Sequence, residues 1–255
     1  MTTAKPRRQL TKPVVVNQKT RTKQALPEKP DPAPAQKAPK RDDAKDPAPP
    51  HRQSYNRWSW AGALVLGVVL FAVTALLAHH RTLVGWELHL FRTINDWPES
   101  LRIPMRVATI VPESLWIAVA AVAVTFLLKL YRLVWQSAVA TIGGYAVAEL
   151  GKQLIARPRP YELVQQVHVR IHETGNGFPS GHTMIITVIL LTMWPYLPRG
   201  WRWLTLLLIP LMALSRIYLG VHEPLDVVGG FAIGLMVVGA MRVLPTGVRD
   251  FFRLD

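Results

Sequence analysis

Beyond residue 57 the chain is built of long apolar runs joined by short polar connections. The first run, Trp58 to Ala78, carries no charge and as a helix is long enough to cross a hydrocarbon core about 30 Å thick. Five further runs follow it: Glu113 to Leu128, Leu133 to Leu150, Thr183 to Leu197, Trp203 to Leu219 and Leu225 to Leu244. The pattern predicts an all-α fold, a polytopic membrane helical bundle of about six transmembrane helices over residues 58–255. The first run is expected to stay in the protein, because a long hydrophilic tail precedes it and it has full spanning length, unlike a secretory signal peptide.

Charge changes the picture at the amino end. Residues 1–57 hold 14 Lys and Arg against 5 Asp and Glu, within a formal net charge of +14 for the chain. The segment is rich in Pro, Ala and Gln and nearly free of aromatics before Tyr55, so it cannot bury enough apolar surface to offset its conformational entropy. A disordered basic tail is therefore expected over 1–57. No stacking aromatics or binding module accompany the charge, so nucleic acid is not an expected partner, whereas anionic lipid headgroups are. Basic residues beside a first span hold that end in the cytoplasm. With the amino end inside, Lys129 to Arg132, Arg199 to Arg202 and the end with Arg242, Arg249 and Arg253 also fall inside.

The outer segment His79 to Pro112 runs against this rule with Arg81, Arg92, Arg102 and Arg106, and the tail decides the orientation. Within it, Leu83, Val84, Trp86, Leu88, Leu90, Phe91 and Ile94 alternate with Glu87, His89, Arg92 and Asn95. Such a helix either lies along the interface, shielding a site or admitting lipid from the side, or packs to close the bundle. Nothing in the sequence fixes the oligomeric state.

The same topology brings three polar clusters to the outer rim. In Lys152-Gln-Leu-Ile-Ala-Arg-Pro-Arg159-Pro160, a helical start predicts Lys152 about two turns before proline halts the helix beside Arg159. Lys supplies a point charge and Arg a fork for phosphate oxygens, and local chemistry does not separate Arg159 from Arg157. In Pro179-Ser180-Gly181-His182, Ser180 is expected at a helix N-cap, where exposed amides attract anions and Gly181 permits close approach. In Ser215-Arg216-Ile-Tyr-Leu-Gly-Val-His222-Glu-Pro-Leu-Asp226, Pro224 suits a first helical turn and Asp226 can reach back four residues to His222. A carboxylate behind an imidazole fixes its tautomer and raises its basicity, leaving the other nitrogen to attack phosphorus. The loop Tyr161 to Phe178, with His168, Arg170, His172 and Glu173, is expected to meet the headgroup or solvent. Cysteine is absent, which excludes thiolate sites and disulfides.

Lys152 separated by six residues from Arg159-Pro160, then Pro179-Ser180-Gly181-His182, then Ser215-Arg216 followed by His222 and Asp226, resembles the type 2 phosphatidic acid phosphatase superfamily in all three signatures. Its spacing favours Arg159 over Arg157. The resemblance implies that His222 is a nucleophile forming a phosphohistidine, that Asp226 orients it, and that His182 is the general acid and later activates water. Lys152, Arg159, Ser180, Gly181 and Arg216 would hold the phosphoryl oxygens, with no metal or other cofactor. The implied substrate is a lipid phosphate or diphosphate at the periplasmic face of a bacterial inner membrane, undecaprenyl diphosphate first. Phosphatidate, phosphatidylglycerophosphate or lipid A, a phosphotransferase, and a non-enzymatic membrane scaffold are the alternatives.

Overall fold

The computed structural model describes residues 57–80, 85–113 and 131–244, and every regular element among them is helical. The basic tail and, Glu113 aside, the expected span Glu113 to Leu128 lie outside these residues. Among the described helices, α1 (Arg57–Ala78), α2 (Gly85–Asn95), α3 (Arg102–Glu113) and α4 (Tyr131–Ile155) precede the second motif, and α5 (Gly181–Met193), α6 (Trp203–Tyr218) and α7 (Pro224–Val243) follow. Two of them, α1 with 22 residues at mean hydropathy 2.6 and α7 with 20 at 1.8, have both the length and the apolarity to cross a bilayer. α4, α5 and α6 coincide with the expected third, fourth and fifth runs.

α1 runs alongside α7 at close range because small residues line the contact. A Cβ on Gly67 would fall 2.8 Å from Ala232 O, and one on Gly239 2.8 Å from Leu64 N. The outward faces of α1, α4 and α6 remain apolar, with Val65, Leu76, Ile142, Leu154 and Leu206 all exposed. The interior divides in two. Trp60, Ala140, Ala148, Met184, Val188, Ile233 and Val238 join α1, α4, α5 and α7, while Phe91, Ile94, Met105, Ile217, Tyr218 and Val227 join α2 and α3 to the site end of α6 and α7.

Local backbone chemistry aims the motif segments. α4 stops at Ile155 rather than beside Arg159: Ala156 turns left-handed at φ 45°, and Pro158 disfavours helix at Arg157. Lys152 thus sits in the last turn of α4, and the Arg-Pro-Arg segment leaves the helix. α6 ends on left-handed Gly220 at φ 77°, which sends the chain back toward His222. Glu223 is extended, and Pro224 opens α7 with its preset φ. α7 presses on the start of α5 so tightly that a Cβ on Gly230 would fall 2.2 Å from Ser180 O.

In α2, which the sequence left as either an interfacial or a packing helix, Glu87 and Asn95 are both buried. Asn95 accepts the His168 amide at 2.9 Å and donates through Nδ2 to the carbonyls of His168 and Tyr218, each at 3.1 Å. Arg170 adds bonds to the carbonyls of Asn95 (2.9 Å), Tyr218 (2.6 Å) and Trp97 (3.2 Å), stacks over the Tyr218 ring, and reaches Glu99 at 2.9 Å. These bonds fasten the 161–178 loop to the ends of α2 and α6.

Candidate active site

His222 is the centre of the assembly, 2% exposed and one residue before the N-cap of α7. Its Nδ1 lies 3.5 Å from Asp226 Oδ2, as the four-residue spacing predicts. That oxygen also accepts the Glu223 amide at 2.9 Å, the reciprocal half of a capping box. The opposite nitrogen, Nε2, looks toward Glu173 Oε2 at 4.0 Å.

Glu173 comes from the 161–178 loop. Its carboxylate pairs with Arg216 through Oε1 and with Arg159 through Oε2, the latter at 3.1 Å. Two arginines and an imidazole nitrogen thus converge on one carboxylate, an arrangement that also suits a phosphoryl group. The loop backbone is held here: the Tyr161 hydroxyl donates to Glu173 O, and Arg159 donates to the carbonyls of Gly175 (2.9 Å), Thr174 (3.1 Å) and Val221 (2.8 Å).

The electrostatics follow from this geometry. Burial first, then Arg216 and Arg159, drive the His222 imidazole well below the ordinary histidine range, against the pull of Glu173 and the Gly177 backbone. His222 is neutral at neutral pH. Burial opposes ionisation of Glu173, but Arg216, His222 and Arg159 outweigh it and hold the carboxyl down to about 2.

Behind the imidazole lies a second ion cluster. Arg157 meets Glu87 twice, Nη1 to Oε1 at 3.0 Å and Nη2 to Oε2 at 2.7 Å. Its Nη2 also reaches Glu223 Oε2 at 2.6 Å and its Nη1 Asp226 Oδ1 at 3.3 Å, and all four side chains are fully buried. Burial works against the charge on Arg157, and the surrounding carboxylates more than restore it. Three acids share this one guanidinium, so burial and the neighbouring Asp226 push the Glu223 carboxyl up to about 9 despite Arg157.

The other expected residues stand as follows. Ser180 is buried at the N-cap position of α5, but its side chain makes no cap bond; its Oγ accepts from Thr183 Oγ1 at 3.2 Å. Its amide donates to Asp226 O at 2.9 Å, tying the starts of α5 and α7 together. A Cβ on Gly181 would meet nothing within 4 Å, so open space borders the first residue of α5. His182 is half-buried in that first turn. Lys152 is half-buried, with Nζ 4.0 Å from Glu149 Oε2 and its carbonyl accepting from Asn176 Nδ2 at 2.9 Å. Sequence reasoning left Glu87 and Glu223 without a role and considered Arg157 only as a rival phosphate ligand. The available signal for Glu87 was its spacing from Phe91 and Ile94, which at i+4 and i+7 places it on the apolar face of α2.

Residues 133–249 match the PAP2 superfamily. The chain is 27% identical over 179 residues to an undecaprenyl-diphosphatase of Sulfolobus acidocaldarius, an alignment covering 67% of this chain and 84% of that protein. It is 32% identical over 156 residues to YbjG of Escherichia coli (strain K12), a provisionally named undecaprenyl-diphosphatase, covering 59% of this chain and 78% of the relative. The fold resembles that of a transmembrane PAP2 type phosphatidylglycerolphosphate phosphatase from Bacillus subtilis, at TM-score 0.54 and 22% identity, over 73% of this chain and 96% of that one.

Proposed function

Since the chain belongs to the PAP2 superfamily and is a membrane lipid phosphatase, a hydrolase of phosphate esters, we propose that it removes phosphate from a lipid headgroup through His222. The observation that carries this reading is the pair of environments around the imidazole: Asp226 at Nδ1, and at Nε2 a carboxylate held by two arginines. In the first step, Nε2 attacks phosphorus as the bond to the leaving oxygen breaks, and His182 donates its proton to that oxygen. The Nδ1 proton stays with Asp226 as its acceptor, stabilising the imidazolium that forms. In the second step, water attacks phosphorus, His182 takes its proton, the P–N bond breaks and inorganic phosphate departs. Arg159, Arg216, Ser180, Gly181 and Lys152 steady the spread charge of the transferred group, with Glu173 giving up its arginines to it.

The first-choice substrate is undecaprenyl diphosphate, converted to undecaprenyl phosphate, as the names of the relatives suggest. The bundle would cross the membrane six times, with a disordered tail and both termini in the cytoplasm and the site at the periplasmic face of a bacterial inner membrane. On the cytoplasmic side the tail would meet anionic lipids.

Phosphate release by the purified protein from undecaprenyl diphosphate, in chelator and beside phosphatidate, tests the proposal. Release abolished by His222→Ala, with a trapped phosphoenzyme that is acid-labile and base-stable, is the expected result. Activity restored only by adding a divalent ion would favour metal-assisted hydrolysis instead. The rate is expected to give a bell-shaped pH profile whose acid limb falls below pH 6.5, because His222 must be neutral to attack and its environment disfavours the proton. A flat profile, with chemistry limiting, contradicts these roles.

A further inference from the structure

We propose that Arg157 is a positioning residue for the nucleophile, fixing the carboxylate of Asp226 so that one oxygen alone serves His222. The inference rests on His222 being the attacking group, and it assigns Glu87 and Glu223 to the support of that group.

The Nη groups of Arg157 donate three hydrogen bonds, two to Glu87 and one to Asp226 Oδ1, and Nη2 also lies 2.6 Å from Glu223 Oε2. None of these side chains reaches solvent. Both Nη nitrogens of Arg157 are thus committed to buried carboxylates, which separates it from Arg159 two residues on. An aspartate carboxylate rotates easily about its last torsion, whose profile is broad. Here Oδ1 is anchored on Arg157 at 3.3 Å, which keeps Oδ2 on the Glu223 amide at 2.9 Å and 3.5 Å from His222 Nδ1, a buried nitrogen that makes no hydrogen bond here. Orientation of this kind selects the tautomer with its proton on Nδ1 and its lone pair on Nε2.

Glu87 extends the support beyond the three sequence clusters. Besides its fork with Arg157, its Oε1 accepts the Leu225 amide at 3.0 Å, in the first turn of α7. The outer helix α2 is thus bonded both to the arginine that steadies Asp226 and to the helix that carries Asp226. A cluster serving only to dock α2 would have no need of the contact to Asp226 Oδ1, and the two roles differ in what they do to the imidazole.

The full-length protein in detergent micelles, labelled with 15N-histidine, provides the readout, the His222 signals being those lost in His222→Ala. The wild type is expected to carry its proton on Nδ1. Arg157→Lys keeps the charge but loses the fork, and is expected to shift His222 toward a mixture of tautomers. Its kcat for phosphate release from undecaprenyl diphosphate or phosphatidate should fall about 10- to 100-fold while KM stays within about twofold. In an Asp226→Asn background the same substitution should cost no more than about threefold, because its effect passes through Asp226. An unchanged tautomer, or a full multiplicative loss in the Asp226→Asn background, overturns the proposal. Should Arg157→Lys fail to fold, Glu87→Gln decides: it removes one charge at constant shape and should move the tautomer the same way, and an unmoved tautomer overturns the proposal. If the wild type hydrolyses neither lipid, the lipid phosphatase reading through His222 is what fails, and the tautomer measurement still judges Arg157.

Discussion

Arginine–carboxylate assemblies stand on both sides of His222, alike in composition and opposite in use. Behind Nδ1, Arg157 is enclosed by Glu87, Glu223 and Asp226, all without solvent exposure. In front of Nε2, Arg159 and Arg216 share Glu173, whose side chain keeps 23% of its surface open to solvent. A fully buried pair loses heavily if one partner goes, since the other charge is stranded out of water. A partly open pair exchanges its partner more cheaply, because solvent screens the group that leaves. The rear assembly is therefore suited to holding a geometry, and the front one to trading a resident carboxylate for an incoming anion.

The comparison can be broken at either end. The largest effect is expected from Asp226→Asn, which should lower kcat about 10³- to 10⁴-fold with the protein still folded, as when a catalytic imidazole loses its orienting carboxylate. Steady-state phosphate release measures it, and a loss under about tenfold would empty the rear assembly of its role. Next comes Arg216→Gln at the front, expected to reduce kcat/KM about 10²- to 10³-fold by removing a donor to the transferred group.

Glu173→Gln should act with the opposite sign. With the resident charge removed, the inhibition constant of inorganic phosphate should fall about 3- to 10-fold, within about 1.4 kcal/mol. The Glu173 carboxyl titrates near 2, so the competition it imposes is constant through neutral pH, and an inhibition constant that the substitution leaves unmoved contradicts the trade.

The smallest effect concerns stability. Glu223 has its folded pKa raised from 4.5 to about 9, so its contribution is fully present below pH 4.5 and is lost as pH rises through about 9. Over that window it lowers stability by up to about 1.4 kcal/mol per pH unit. Glu223→Gln lacks this slope. Its unfolding temperature, followed by intrinsic fluorescence in detergent, should gain on the wild type by a few degrees per pH unit between about pH 5 and about pH 8. Parallel curves would mean that Glu223 does not hold a proton there.

What the sequence made legible was chemistry confined to short stretches. His222 and Asp226 are four residues apart, so one helical turn was enough to pair them, and Pro224 marked where that turn begins. The all-α class followed from the apolar runs. Glu173 was legible only as one polar residue of a headgroup loop, because its meeting with Arg159 and Arg216 depends on how the loop is fastened by Arg170 and Asn95. Glu87 is further still from His222 along the chain, and its alternation with apolar neighbours left open whether its helix lies along the interface or packs into the bundle. Only the packing of α2 against α6 and α7 turns it inward. The end of α4 was misjudged by about a turn, since the left-handed Ala156 leaves no mark in residue type.

Asp226 touches every one of the three polar clusters. Its Oδ1 meets Arg157 of the first, its main-chain carbonyl takes the amide of Ser180 in the second, and its Oδ2 serves His222 in the third. The register among three distant stretches of sequence is thereby stored at a single address. The chain between them must return each stretch to that address, and between the first two it also delivers Glu173 to Arg159 and Arg216.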